Sequence, residues 1–404
     1  MEKNILPIKK AVIIFSVFAC GYFISALLRA ITATLSPLLT SEFSLSAGDL
    51  GLLAGGYFLG FASMQIPLGH LLDKHGPKKI VSSFLLIAII GTIAFALAQN
   101  FAGLLLSRIL IGVGVSACLM GPLTAYRIWF ADEYQQRANA WMLMVLSMGF
   151  VFSTLPVQIL LPVIGWRWVF GLIAILIFLV ILMTIFFIPK WKNNETNEEL
   201  NNNSSLSIVW KNQFFLSTIP LGLFNYGGMV AIQTLWAGPW MVRVSGYNPM
   251  ESATGLFWIN ITMLIAFFIF GYILPKVTKL GFETMKIMKI GLPISYLSLL
   301  MIIFLGNNAG ALFFTIYLLT SIVLTLTQPA VALSFPTKIA GTSLTSFNLL
   351  IFVGTFIMQW SIGIAIDISK YLGFSETKSF QIAFSLYLII CVISYLYFLY
   401  KNKK

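Results

Sequence analysis

The chain has 404 residues, of which 59% are hydrophobic and only 9% are charged, and its mean hydropathy is +0.92. Water-soluble domains carry roughly a quarter charged residues, so a soluble fold is excluded. The formal charge of +12 invites a nucleic-acid partner, but its distribution along the chain gives it another meaning.

Apolar runs long enough to cross a bilayer recur from end to end between short polar breaks. They predict spans near 11–39, 47–71, 80–99, 102–126, 136–162, 166–188, 214–241, 251–275, 286–305, 309–334, 342–366 and 377–400. The first run follows Lys9 and Lys10, lacks a small-residue cleavage site and leads into a second span. It therefore reads as a retained helix and not as a signal peptide. Long runs without alternation of period two exclude an outer-membrane barrel. Cys20, Cys118 and Cys391 all fall inside apolar runs, the pattern of buried, inert thiols.

The longest polar break, KWKNNETNEELNNNSSL at 190–206, lies between the sixth and seventh spans. It reads as a solvated, flexible linker and divides the chain into a six-span bundle at 1–189, a linker at 190–213 and a second bundle at 214–404. Of the 25 Lys and Arg residues, nineteen fall on the side of the termini and linker, four on the other side, and Arg29 and Arg108 within spans. By the positive-inside rule the termini are cytoplasmic. The basic balance is thus a topology signal, and the nucleic-acid reading falls. The halves also echo each other at an offset of 202 residues: Pro37 with Pro239, Gly69 with Gly271, Lys74 with Lys276. Two parallel six-helix repeats form a secondary-transporter architecture.

The loop after the second span, GHLLDKHGPKK, holds both histidines of the chain. His70 and His75 are five residues apart and diverge on a helix, with Asp73 the sole carboxylate nearby, so a zinc site is not formed. No nucleophile stands beside a base. Gly76 and Pro77 suit a tight turn, Gly69 suits close helix packing, and Asp73 suits capping of free helix amides. Lys78 and Lys79 are expected to pair with Asp132 and Glu133, and Arg127 with Asp73.

This stretch, Gly69-x-Leu71-x-Asp73-Lys74-x-Gly76-x-Lys78-Lys79, resembles the loop signature of the major facilitator superfamily. Leu72 stands where that family places a small residue before the Asp. Arg108-x-x-x-Gly112-x-Gly114 resembles the family's fourth-helix signature, and the twelve-span plan extends the likeness over the whole chain. The resemblance implies an all-α membrane fold of two pseudo-symmetric six-helix bundles around a central cavity. It also implies that Gly69, Asp73, Lys74, Gly76, Lys78, Lys79 and Arg127 form a cytoplasmic gate latch, with Asp73 meeting the start of the eleventh helix near Gly341, Thr342 and Ser343. The counterpart in the second half, Gly271-x-x-x-Pro275-Lys276, lacks the Asp, so the latch is expected to be one-sided.

Ionisable groups inside spans are costly and mark function. Arg29 sits in a polar stripe, Tyr22, Ser25, Arg29, Thr32 and Ser36, spaced three and four apart on one helical face. The resemblance places the first and fourth helices at the central cavity, so Arg29 and Arg108 are expected to face a common space and to hold an anion, the ligand that planar guanidinium groups serve best. An Arg shortly before a Pro in the first helix also resembles the organic-anion and organic-phosphate permeases of the superfamily, although Ala231 occupies the position offset by 202 residues. Alternatively, these arginines pair with Glu42 or Asp49 near the outer surface, or Arg108 is structural. On the seventh span Tyr226, Gln233 and Trp236 share a broad face and are candidate substrate contacts. Asn225, Thr234, Trp258, Asn260, Gln328, Asn348 and Gln359 are further polar candidates. No carboxylate falls mid-span; Asp49, Glu251 and Asp367 lie towards the outer ends.

These features predict a transporter and not an enzyme, with no cofactor, no metal and no nucleic-acid partner. It is expected to act as a monomer in the cytoplasmic (inner) membrane, moving a small polar, anionic organic solute by alternating access, with a coupling ion or counter-substrate left open among symport, antiport and uniport. The alternatives are a proton-coupled efflux pump for drugs or metabolites and a non-transporting membrane sensor on the same scaffold.

Overall fold

A computed structural model of the chain describes residues 5–190, 202–279 and 284–402. Among the described residues ten helices are long and apolar enough to cross a membrane. Two of them, Gln65–Leu97 and Leu155–Phe187, each turn through a glycine with φ of 75°, at Gly76 and at Gly165. An L side chain is strained at that φ, which is why glycine occupies both corners. Splitting the two helices there, and adding Ala47–Ser63 and Asp132–Phe152, recovers the twelve expected spans.

In chain order these are α1 (Ile8–Phe43), α2 (47–75, broken at Met64), α3 (77–97), α4 (Phe101–Trp129), α5 (132–164, broken at Ser153 and Thr154) and α6 (166–187). The second half holds α7 (Gln213–Arg243), α8 (Pro249–Lys279), α9 (Thr284–Leu305), α10 (Ala311–Leu333), α11 (Thr337–Tyr371) and α12 (Glu376–Lys401). Several helices outrun the apolar runs that announce them. With 36 residues, α1 is about 54 Å long against a hydrocarbon core of about 30 Å. α11 likewise runs beyond its expected 342–366 at both ends. The linker is more ordered at its end than its polar composition suggests. Asn202–Lys211 is helical, anchored by buried Val209 in a cluster with Phe215, Phe335 and Phe347. Residues 191–201 lie outside the described residues.

By contact the chain sorts into two units. One comprises Met1–Ile31 and Gly56–Glu195; the other comprises Thr32–Gly55 and Thr196–Lys404. The second unit thus includes the adjoining ends of α1 and α2. Its core is aromatic: Trp240 packs within 4.7 Å of the Phe384 ring and 6.0 Å of both Phe314 and Phe380. In the first unit Phe95 stacks on Phe170 at 4.3 Å, with Trp166 edge-on to Phe95. Hydroxyls inside the spans satisfy themselves locally, as Thr92, Thr184 and Thr355 do by donating to the carbonyl four residues back.

α4 meets α2 backbone to backbone. A Cβ on Gly112 would lie 2.0 Å from the Tyr57 carbonyl oxygen, and one on Gly60 would lie 2.1 Å from that of Ile109. Without a lipid-exclusion force between helices, such close approach supplies the packing energy. Gly69 behaves otherwise. A Cβ there meets nothing within 4 Å, so the expected close packing at Gly69 is not found among the described residues. Gly112→Ala is therefore expected to lower the thermal midpoint of the purified protein, on the scale of about 1–3 kcal/mol for overpacking, and Gly69→Ala to leave it unchanged. Paired melting curves in one detergent check this.

Candidate functional site

Arg29 and Arg108, both in the first unit, converge on one aromatic ring. The polar stripe of α1 is buried along its whole length: Tyr22, Ser25, Arg29, Thr32 and Ser36 are each at most 6% exposed. The Arg29 guanidinium carbon lies 5.9 Å from the ring centre of Tyr57 and 5.3 Å from that of Phe61. The Arg108 guanidinium carbon lies 5.5 Å from the Tyr57 ring centre and 5.9 Å from that of Phe95. Tyr57 thus stands within cation–π range of both charges. Its own position is set twice. Its hydroxyl donates to the Ser25 carbonyl at 3.0 Å and lies 3.0 Å from the Ser25 hydroxyl, while its ring stacks on Phe61 at 6.1 Å.

Arg108 is fully buried and donates through NH1 to the Leu28 carbonyl oxygen at 2.9 Å. It ties α4 to the backbone of α1 one residue before Arg29. Both arginines, expected to face a common space, thus lie beside the same Tyr57 ring, and Arg108 also bonds to the α1 backbone. Tyr57, Phe61 and Phe95 were not among the candidates. Tyr57 and Phe61, four apart on α2, share a helical face within the glycine-rich run GGYFLGF, and that spacing is the signal available for them.

In the second unit the polar candidates bond mainly to one another. Gln233 donates to Asn260 at 3.1 Å, Gln359 donates to Thr234 at 3.0 Å, and the Trp236 indole donates to the Gln359 carbonyl at 3.1 Å. Gln328 donates to Asn348. Asn225 donates to the Cys391 carbonyl at 3.3 Å and accepts from Tyr296 at 2.7 Å. Trp236 is fully buried beside Phe380, and Trp258 is 59% exposed on the outer face of α8. Tyr226 is half-buried. α7 itself is wound as π-helix at Leu221–Tyr226 and again at Ile232–Trp236. Each π turn takes up one extra residue relative to α-helical winding.

The loop between α2 and α3 turns at Gly76 as its sequence requires. Lys78 donates to the carbonyl of Ile188, the cap residue of α6, at 2.8 Å, a favourable place for a cation at a helix C-terminus. Asp73, Lys74 and Lys79 are exposed, as is Arg127. Among the described residues no hydrogen bond reaches the Asp73 carboxylate. The expected partners of Lys78 and Lys79, the side chains of Asp132 and Glu133, lie outside the described residues, as do those of Gly271, Pro275 and Lys276.

Comparisons with known proteins agree with this architecture. The chain is 26% identical to the probable sulfoacetate transporter SauU of Cupriavidus necator over 40% of its own length and 37% of the relative's. It is 26% identical to the quinolone resistance protein NorA of Staphylococcus aureus over 50% of its own length and 52% of the relative's. The matches thus span about half or less of these curated relatives. The solved structure of a D-xylose–proton symporter superposes with a TM-score of 0.77 at 12% identity, covering 96% of this chain and 97% of that one, a likeness of fold. The family profile described as Major Facilitator Superfamily matches residues 18–359, and the chain belongs to that family of membrane transporters.

Proposed function

We propose that this protein is a secondary transporter that moves a small organic anion across the cytoplasmic membrane by alternating access, acting as a monomer with both termini in the cytoplasm. The observation that carries the anion reading is the Arg29 guanidinium. It is held in the membrane interior against the faces of Tyr57 and Phe61, on a helix fixed by Arg108. A charge kept at such a depth has a functional use, and a guanidinium offers a carboxylate, sulfonate or phosphate paired donors. The relative named as a sulfoacetate transporter fits an anionic cargo. The excess of Lys and Arg on the side of the termini supports the orientation. Because no carboxylate falls in the middle of a span, uniport or anion exchange fits better than proton coupling. In this reading the loop bearing Gly69, Asp73, Lys74, Gly76, Lys78, Lys79 and Arg127 serves as the cytoplasmic gate.

A second reading, a proton-coupled exporter, is favoured by the similarity to NorA over half of the chain. Uptake into proteoliposomes separates the two. Transport unaffected by a proton gradient supports exchange or uniport, and transport driven by the gradient supports the exporter.

A thermal-shift panel of carboxylates, sulfonates, phosphate esters, amino acids, sugars and organic cations tests the anion reading. Stabilisation is expected from anions, and Arg29→Ala is expected to weaken the apparent Kd ten-fold or more, since hydrogen bonds to charged groups contribute about 1.5–3 kcal/mol. Stabilisation only by neutral or cationic compounds, unchanged in Arg29→Ala, would overturn it.

The same ligand titration applies to the groups that support Arg29. Tyr57→Phe keeps the ring and is expected to change anion affinity less than Tyr57→Leu, which removes a cation–π contact of about 0.5–2 kcal/mol. Arg108→Leu is expected to depress the melting temperature through the released Leu28 carbonyl more than Arg29→Ala does.

A further inference from the structure

The side away from the termini carries four basic residues, Arg167, Arg243, Lys370 and Lys378, and three of them are engaged. Arg167 donates to the Ala98 carbonyl at 3.4 Å and lies 4.3 Å from the Trp166 ring centre. Arg243 and Lys370 both meet Glu376 Oε1, at 3.5 and 2.7 Å. Lys378 is exposed, and among the described residues no carboxylate or other acceptor holds its ammonium.

Lys378 heads an apolar groove in the second unit. On α12 Lys378, Ile382 and Leu386 follow at intervals of four along one face. Opposite them on α11 run Ser361, Ala365, Ile368 and Leu372, spaced three and four apart. The two stripes, with Phe374 in the turn that joins the helices, line a groove of about 340 Å³. From Leu372 to Ser361 it follows α11 for eleven residues, about 16 Å at 1.5 Å per residue. That is close to the depth of one leaflet in a hydrocarbon core of about 30 Å. Ile364, Ile368, Leu372, Phe374 and Leu386 are 37–66% exposed. The walls carry two hydroxyls; that of Ser369 donates back to the Ala365 carbonyl at 2.7 Å, and that of Ser361 lies at the deep end. Hydrocarbon walls call for a hydrocarbon occupant, and the cation at the mouth calls for an anion at one end of it.

We infer that this groove holds one anionic phospholipid from the leaflet away from the termini, with an acyl chain laid between α11 and α12 and its phosphate paired with Lys378. The lysine stem lies along the apolar stripe and carries its charge to the interface. A second copy of the chain fits less well, because the carboxylates at this end are committed. Asp49 and Glu251 accept from the amides of Ser46 and Asn248, Asp367 from those of Ala47 and Gly48, and Glu376 holds two cations. A phospholipid brings its own anion. The inference rests on the membrane orientation proposed above and not on the nature of the cargo.

Native mass spectrometry of the delipidated full chain, titrated with dioleoyl phosphatidylglycerol or dioleoyl phosphatidylcholine, tests it. One phosphatidylglycerol is expected to bind about five-fold more tightly than phosphatidylcholine, which corresponds to about 1 kcal/mol for one basic residue at an anionic lipid. Lys378→Gln is expected to abolish the preference, and Lys378→Arg to keep it. Ala365→Trp and Ile368→Trp, which fill the groove at two positions, are expected to lower retention of both lipids. Ile265→Trp, on the exposed face of α8, is expected to leave it unchanged. Melting curves without lipid show which variants are folded, and Ile368 is exposed enough to accept the larger ring. A preference that survives Lys378→Gln, or retention untouched by the groove-filling variants, would overturn the site. Dimer masses that take the place of lipid-bound monomer would also overturn it, by giving the groove to a second copy. Soluble anions are titrated at Arg29 without phospholipid, so the anion reading stands or falls separately.

Discussion

A positive charge inside a membrane has to be supported by the groups around it, and here the support is the Tyr57 ring. It stands beside the guanidinium groups of Arg29 and Arg108, and its hydroxyl is bound by Ser25. The ring reaches that place only because α2 and α4 approach to backbone contact at Gly60 and Gly112. Glycine spacing, aromatic position and arginine burial are therefore one arrangement. Removing the close approach would move the ring, and moving the ring would leave two costly charges with less support. The wide separation of these residues in sequence hides how tightly the helices join them.

Helix ends follow a related logic. In hydrocarbon every backbone group must find a partner within the protein, so charged side chains are drawn to helix termini. Lys78 holds the last carbonyl of α6, and Asp367 holds the first amides of α2. Few charges are available in this chain, and several that lie near the membrane complete a helix.

Much of the fold was legible from periodicity and charge. The twelve spans, the turn at Gly76 and the family itself were readable because apolar runs, positive φ and loop motifs are local properties. The buried face of α1 from Tyr22 to Ser36 was readable because α1 is a continuous helix. The winding of α7 was not, because the π turns at Leu221–Tyr226 and Ile232–Trp236 have no signature in residue identity. The bonding partner of Arg108 was hidden for another reason. Its acceptor is a backbone carbonyl, which leaves no trace in residue identity. Asp367 could be noted as a carboxylate near a span end, but its partners are amides 319 and 320 positions away.

The shared character of α2 bears on how this protein can be cut and recombined. A linker at 190–213 invites exchange of six-helix halves between relatives. Such a hybrid would carry residues 32–55 from one parent and their packing surface, Gln359, Gly363 and Asp367, from the other. The unit whose packing must stay matched is therefore not the half-chain. It includes a short insert from the first half that fits the second, and a graft that respects this boundary would transplant the insert with α7 to α12.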